Sequence, residues 1–235
     1  MKVILKKRPK NPTIIEGFPG FGLVGSISTE FLIQHLKAEK IGIVTHHKFM
    51  PIAAVHDGQV REPLGLYYSK DYNIVIVHAL AAMQGLEWEI ADMLAALSKD
   101  LGSKELISIE GVMSKTPTNK VFYYSDNPKI NQKMNKLGID TLKEGIVMGV
   151  TGALITVTKN HTCFFVESNV QVADSLAAAK IIETLDKYLG LEVDPKPLLT
   201  AAKEFETKLK SIMAQHEAAV KVQEEKNPTN LNYLG

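Results

Sequence analysis

The chain has 235 residues, of which 45% are hydrophobic, and its formal net charge is +1 at pH 7. That length and composition suffice for one full hydrophobic core, while the balanced charge gives no support to a nucleic-acid partner. The N-terminus lacks a long apolar segment followed by a cleavage site, and no stretch approaches the ~18 apolar residues of a membrane span. These features predict a cytoplasmic protein that does not enter a membrane.

Strand-like and helix-like stretches alternate along most of the chain. A short apolar run at 13–16 predicts a strand, and the apolar stripe within 23–37 predicts the helix that follows. Asp57-Gly58 predicts a hairpin, and the continuous run 73–78 predicts a central strand buried on both faces. Further strands are predicted at 40–45, 106–109, 121–124, 146–150 and 162–166, and further helices at 87–101, 130–137 and 173–189. This pattern predicts an α/β fold with a mixed sheet.

The character of the chain changes after Asp194, where a long charged helix is predicted to extend from Leu198 to about Lys226. Its spacing of three and four residues is that of a short coiled-coil seam, and two interpretations stay open. The helix either packs on its own core or mediates self-association through Phe205, Leu209, Ile212 and His216. The predicted organisation is an α/β core domain at 1–194, a C-terminal helix at 195–226 and a flexible tail at 227–235.

Residues 16–25, EGFPGFGLVG, contain a literal G-x-G-x-x-G between a predicted strand and a predicted helix. The residues of interest in this glycine loop are Gly17, Pro19, Gly20, Gly22 and Gly25. A dinucleotide site also needs an acid at the end of the second strand, which here reads Thr45-His46-His47. We therefore favour a structural role, in which glycines permit a sharp turn and close packing of helix on sheet. A phosphate at the helix N-terminus is the alternative.

Polar residues at predicted strand ends are the remaining candidates for chemistry. His78, Glu110 and Glu167 each end a strand, where α/β enzymes place functional groups, and we expect them to line one crevice. Cys163 lies in an apolar run typical of an inert core thiol, and Trp88 at a helix start is expected to anchor the core. No spacing specifies a metal site or a catalytic triad, so the sequence predicts no catalytic residue, no metal and no cofactor.

The segment 16–25 resembles the opening signature of the archaeal proteasome assembly chaperone family. Further matches follow in order along the chain, at 56–58, 73–88, 149–154, 174–179 and 189–194. The resemblance spans about residues 13–215. It implies a fold similar to that of purine nucleoside phosphorylases, a mixed sheet sandwiched by helices. It also implies a non-enzymatic homo-oligomer that helps assemble the proteasome α-ring.

The resemblance also bears on the C-terminus, because some proteasome-binding proteins end in a hydrophobic–Tyr–any motif that docks between α-subunits. Here Tyr233 is third from the end rather than second, which displaces the terminal carboxylate by roughly 3.5 Å. The residues expected to contact the partner are Leu231, Tyr233, Leu234 and Gly235, and an end without a binding role is the other interpretation.

The expected function is a chaperone or adaptor for proteasome α-subunits. The alternative is an enzyme or a small-molecule or phosphate sensor that uses the crevice beside the glycine loop.

Overall fold

The computed structural model describes residues 1–56, 58–114, 117–168 and 173–200. Its strands are β1 (Lys2–Leu5), β2 (Thr13–Gly17), β3 (Glu39–Thr45), β4 (Ala54–His56), β5 (Gln59–Arg61), β6 (Leu64–Ser69), β7 (Ile74–Ala79), β8 (Glu105–Met113), β9 (Val121–Ser125), β10 (Asp140–Thr141) and β11 (His161–Ser168). Its helices are α1 (Val24–His35), α2 (Glu87–Leu101), α3 (Pro128–Lys136), α4 (Gly149–Val157) and α5 (Ser175–Leu189), and a short 3-10 turn occupies Phe21–Leu23.

Nine of these strands form one sheet, in the order β1-β3-β6-β7-β2-β8-β11-β9-β10. The centre is parallel, because β2 pairs in parallel with β7 and β8, and β8 pairs in parallel with β11. Antiparallel pairs continue the sheet on both sides, with β6 beside β7 and β9 beside β11. The remaining two strands, β4 and β5, form a separate hairpin. The mixed α/β sheet flanked by helices confirms the predicted fold class.

Each face of the sheet is covered by helices, so there are two layers of core. Because side chains alternate along a strand, Ile15 packs with residues of α1 and α5, whereas Ile14 packs with residues of α2 and α4. Two helices end in glycines with positive φ, Gly102 after α2 and Gly190 after α5, which is the usual way to close a helix C-terminus. The site described below lies on the α2 and α4 side.

The sequence prediction is wrong at residues 146–150. This segment leads into α4 instead of forming a strand; Ile146 is 89% exposed, and Gly149 begins the helix with a φ of +72°. Short apolar runs do not distinguish strand from helix by periodicity, and the apolar residues that follow pack in the α2 layer. Strands β1, β6 and β10 were not predicted, since each is defined by a partner distant in sequence.

The C-terminal predictions fall mainly outside the described residues. Leu198, the first residue of the predicted seam, is buried and packs in the α1 and α5 layer. The seam residues Phe205, Leu209, Ile212 and His216 and the tail at 227–235 all lie beyond residue 200, so the domain division stays a prediction. Within the described part of the chain, no helix is long and apolar enough to cross a membrane.

Candidate functional site

The glycine loop brings helix α1 into backbone contact with strand β2. A Cβ on Gly17 would clash with the carbonyl of Gly25, and a Cβ on Gly25 would lie 2.7 Å from the carbonyl oxygen of Phe18. Gly22 has a φ of +62°, in the left-handed region that favours glycine. These three glycines are therefore accounted for by the sharp turn and the close packing of helix on strand.

A cavity of about 940 Å³ opens beside this loop. It is bounded by residues 18–21 of the loop, the start of α2, the carboxyl end of β8 and the segment 144–150. Most of the side chains that line it are apolar, including Phe18, Phe21, Met83, Val112, Met113, Ile146 and Met148. Met113, Ile146 and Met148 are exposed, so the cavity has an apolar mouth that is open to solvent.

Glu110, near the end of β8, places its carboxylate in this cavity. The Thr151 hydroxyl of α4 donates a hydrogen bond of 3.2 Å to Oε2, and Oε1 lies so close to Gly20 that a Cβ there would clash with it. Burial raises the pKa of Glu110 to about 7. Gly20 thus makes room for a carboxyl group that is close to half ionised at neutral pH.

Glu16 of β2 lies behind Glu110 and is completely buried. It stands directly opposite Ser108 on β8, which in turn stands opposite Cys163 on β11. Among the described residues, neither oxygen of Glu16 meets a hydrogen-bond partner in normal geometry, although Ser108 and Thr151 lie near enough to favour its charged form. The pKa of Glu16 rises to about 8, mainly because burial penalises the charged form and also because of the nearby charge of Glu110.

His161 completes this buried polar row. Its Nε2 lies 2.7 Å from the Ser108 hydroxyl and 3.5 Å from the sulfur of Cys163. Burial lowers the pKa of His161 to about 4 and raises that of the Cys163 thiol, so both groups are neutral at physiological pH. This agrees with the expected inert thiol. His161 was not among the predicted site residues, although a spacing of two residues places it on the same strand face as Cys163.

His78, Glu110 and Glu167, the three strand-end residues, were expected to line one crevice, and this expectation is wrong for His78. Glu110 and Glu167 both line the cavity, and hydrogen bonds from Thr118 lower the pKa of Glu167. His78 lies with α1 on the opposite face of the sheet, where its Nδ1 is 2.8 Å from the Thr29 hydroxyl. The reason is strand alternation: His78 shares the face of Ile74 and Ile76, which pack in the α1 layer.

Two further expectations concern Trp88 and metal binding. Trp88 is 59% exposed in the first turn of α2, so it does not anchor the core as predicted. It follows Glu87, which lines the cavity. The described residues contain no group of three or more His, Cys, Asp or Glu side chains arranged to hold a metal ion.

Comparisons with known proteins agree over most of the chain. The model of the PAC2 family matches residues 14–213. An uncharacterised protein of Methanocaldococcus jannaschii is 27% identical over 216 residues, which cover 88% of this chain and 87% of the relative.

Solved structures show the same similarity. Pyrococcus furiosus PbaA, an archaeal homologue of proteasome-assembly chaperone, is 30% identical with a TM-score of 0.80, and the match covers 99% of each chain. PbaB of the same organism, an archaeal proteasome activator, shares the fold at 24% identity with a TM-score of 0.77, over 90% of this chain and 98% of its own. The sequence, its signature segments and its fold all lead to one assignment: this chain belongs to the PAC2 family.

Proposed function

We propose that this protein is a non-enzymatic chaperone or adaptor that binds proteasome α-subunits or the assembled α-ring. The observation that carries the proposal is the likeness to PbaA, which extends over 99% of both chains at 30% identity. The match therefore extends far beyond the glycine loop and the other signature segments.

The pKa values of Cys163 and His161 give no support to catalysis by either of these two groups. A nucleophilic thiol needs a lowered pKa, whereas burial raises the pKa of Cys163. A histidine that acts as a general base needs a pKa near the working pH, whereas that of His161 falls to about 4. His78, a second buried histidine, lies with α1 on the face of the sheet opposite the cavity.

The proposed contact is made by the C-terminal tail, through Leu231, Tyr233, Leu234 and Gly235, which lie outside the described residues. In a homo-oligomer, several tails would engage one ring together. The second and later contacts would then be intramolecular, which raises the overall affinity without any new contact. The displaced position of Tyr233 makes this multivalency important, since each single tail is expected to bind weakly.

The test is capture of the host's purified proteasome α-subunits by the full chain and by a version that ends at Asn227. We expect the full chain to capture α-subunits and the shortened chain to lose capture. Tyr233→Ala should reproduce the loss within a full-length chain. Removal of Gly235 alone is the matched control, because it makes Tyr233 second from the end and should preserve or strengthen capture.

Equal capture by the full and shortened chains would refute tail docking and move the contact to the globular body. Capture by neither would refute the proposed partner. If the shortened chain alone loses capture, circular dichroism of that chain must show that it remains folded, so that a loss of structure is not mistaken for the loss of a docking tail.

A further inference from the structure

The cavity beside Gly20 has the size and lining of a small-molecule site. Its volume of about 940 Å³ lies within the roughly 300–1,000 Å³ typical of ligand pockets, which are mainly apolar with a few fixed polar groups. Four separate parts of the fold form its apolar walls, through Phe18, Met83, Val112 and Met148. Binding of the proteasome through the C-terminal tail would not use this cavity.

The charged side chains in the described lining of the cavity are all acidic. Among the described residues that line the cavity, four are glutamates and none is a lysine, arginine or histidine. The glutamates come from different elements and lie at different depths: Glu87, Glu110, Glu144 and Glu167. Such a lining attracts cations and repels phosphates and carboxylates, which argues against the phosphate or dinucleotide alternative for this cavity.

Glu110 is placed to hold a cation at the inner end. Its Oε2 accepts from Thr151, while Oε1 lies on the side of Gly20, a residue that also lines the cavity. The walls around it are apolar, and the Gly111 amide also donates to its carboxylate. The described residues of the lining include no cation, so they supply no counter-ion. A buried carboxylate without a counter-ion is costly, and a ligand cation would remove that cost.

We infer that the cavity binds a small organic amine, with its ammonium group on Glu110 and an apolar body along the walls toward Met148. The ammonium group donates to Oε1, and the apolar body covers the side chains of Phe18 and Met83. The three remaining glutamates of the lining, Glu87, Glu144 and Glu167, favour entry of a positive charge. This inference is independent of proteasome binding.

The test is isothermal titration calorimetry of the full chain with three probes that share one apolar body. These are 4-phenylbutylamine, 4-phenylbutanol and 4-phenylbutanoate, which differ in the charge of the head group. At about pH 8 we expect the amine to bind at least about tenfold more tightly than the alcohol, with the carboxylate weakest. Equal affinities for amine and alcohol, or no binding of the amine, would overturn the inference.

Variants locate the binding. Glu110→Gln keeps the shape of the side chain and removes its charge, so the amine should lose its advantage over the alcohol. Glu89→Gln is the matched control, because Glu89 is exposed on α2 and does not line the cavity. Met148→Lys places a competing cation at an exposed position of the mouth, where folding is not at risk. Met148→Lys should weaken binding of the amine more than binding of the alcohol. If both cavity variants kept the wild-type preference for the amine over the alcohol, the proposed site would be overturned.

The amine should also bind more tightly as pH rises from about 6 to 8, by up to about tenfold, since Glu110 loses its proton there while an alkyl ammonium keeps its own. The titratable groups that face Glu110 from the neighbouring elements are Glu16 on β2, Glu87 on α2, Glu144 before α4, and Cys163 and Glu167 on β11. An affinity for the amine that is flat over this range in the wild type would contradict the role of Glu110.

Discussion

At the scale of single residues, Glu16 is a carboxyl group in the middle of the sheet with no exposed surface. Its pKa rises from 4.5 to about 8, chiefly because burial penalises the charged form. Between these two values the unfolded chain has released the proton while the folded protein still holds it. The folded state therefore loses stability as pH rises through this window.

We predict that Glu16→Gln reduces this loss. The amide keeps the shape of the side chain and never becomes charged, so the free energy of unfolding at about pH 8 should rise by about 1–3 kcal/mol. Urea unfolding over about pH 5 to 8 measures the effect. Part of the pH dependence should remain, because the pKa of Glu110 is also raised, to about 7.

The control for this experiment is Glu39→Gln. Glu39 is exposed and paired with Lys7, which lowers its pKa instead of raising it. Its replacement should leave the fall in stability with rising pH unchanged, because an exposed ion pair contributes little. Parallel pH profiles for the wild type and Glu16→Gln would show that Glu16 does not titrate as its burial requires.

At the scale of elements, the contact between α1 and β2 depends on two glycines. We predict that Gly25→Ala lowers the free energy of unfolding by about 1–3 kcal/mol. The added methyl would lie 2.7 Å from the carbonyl oxygen of Phe18 and 2.8 Å from that of Ile109, and backbone atoms cannot swing aside. Thermal or urea unfolding measures the loss.

Gly145→Ala is the control for that variant. The nearest atom to its new methyl is a side-chain carbon of Leu142 at 3.3 Å, at the far end of a flexible side chain. We expect a change of no more than about 0.5 kcal/mol. If Gly25→Ala were equally harmless, helix and strand would have room to separate, and the architectural account of the loop would be wrong.

Helix α5 gives a second prediction at this scale. Asp174 caps it by accepting a hydrogen bond of 2.9 Å from the amide of Ala177, and the amide of Asp174 donates to the carbonyl of Gly22. Asp174→Ala should cost about 1–2 kcal/mol of stability, whereas Asp174→Asn keeps a capping oxygen and should cost far less. Equal losses in the two variants, measured by urea unfolding, would assign the effect to charge instead of capping.

Periodicity in the sequence predicted the central elements, since β7 is a continuous β-branched run and α2 carries one apolar face. It did not predict β6, where Gly65 interrupts the run and a Cβ would meet the Tyr67 ring at 2.7 Å. The cavity was not predictable in the same way. Glu110 and Glu16 come together only through the pairing of β2 with β8, and a local pattern carries no information on such pairing.

At the scale of the whole molecule, the predicted C-terminal seam bears on self-association. We predict that the full chain is a homo-oligomer through the seam Phe205, Leu209, Ile212 and His216, and that Leu209→Lys combined with Ile212→Lys reduces its mass to that of the monomer. Lysine charges at these positions remain in contact with water, so two copies of the seam could no longer pack against each other. Size-exclusion chromatography with light scattering measures the mass.

The paired control is Lys210→Gln, which alters charge on the same segment but outside the predicted seam, and which should leave the mass unchanged. A monomeric wild type would refute self-association. An oligomer that survives both lysines would place the interface elsewhere on the molecule and leave the predicted seam without that role.

The position of Trp88 has a practical consequence. It is the single tryptophan of the chain, it is largely exposed, and it adjoins Glu87 at the edge of the cavity. All indole fluorescence of the protein therefore originates from one site, and its emission should already be that of a water-exposed ring in the folded state. Unfolding should shift this emission little, whereas a molecule that settles over the mouth of the cavity should change it directly. Trp88 fluorescence is therefore a label-free signal to follow when testing for a molecule bound at the Glu87 edge of the cavity.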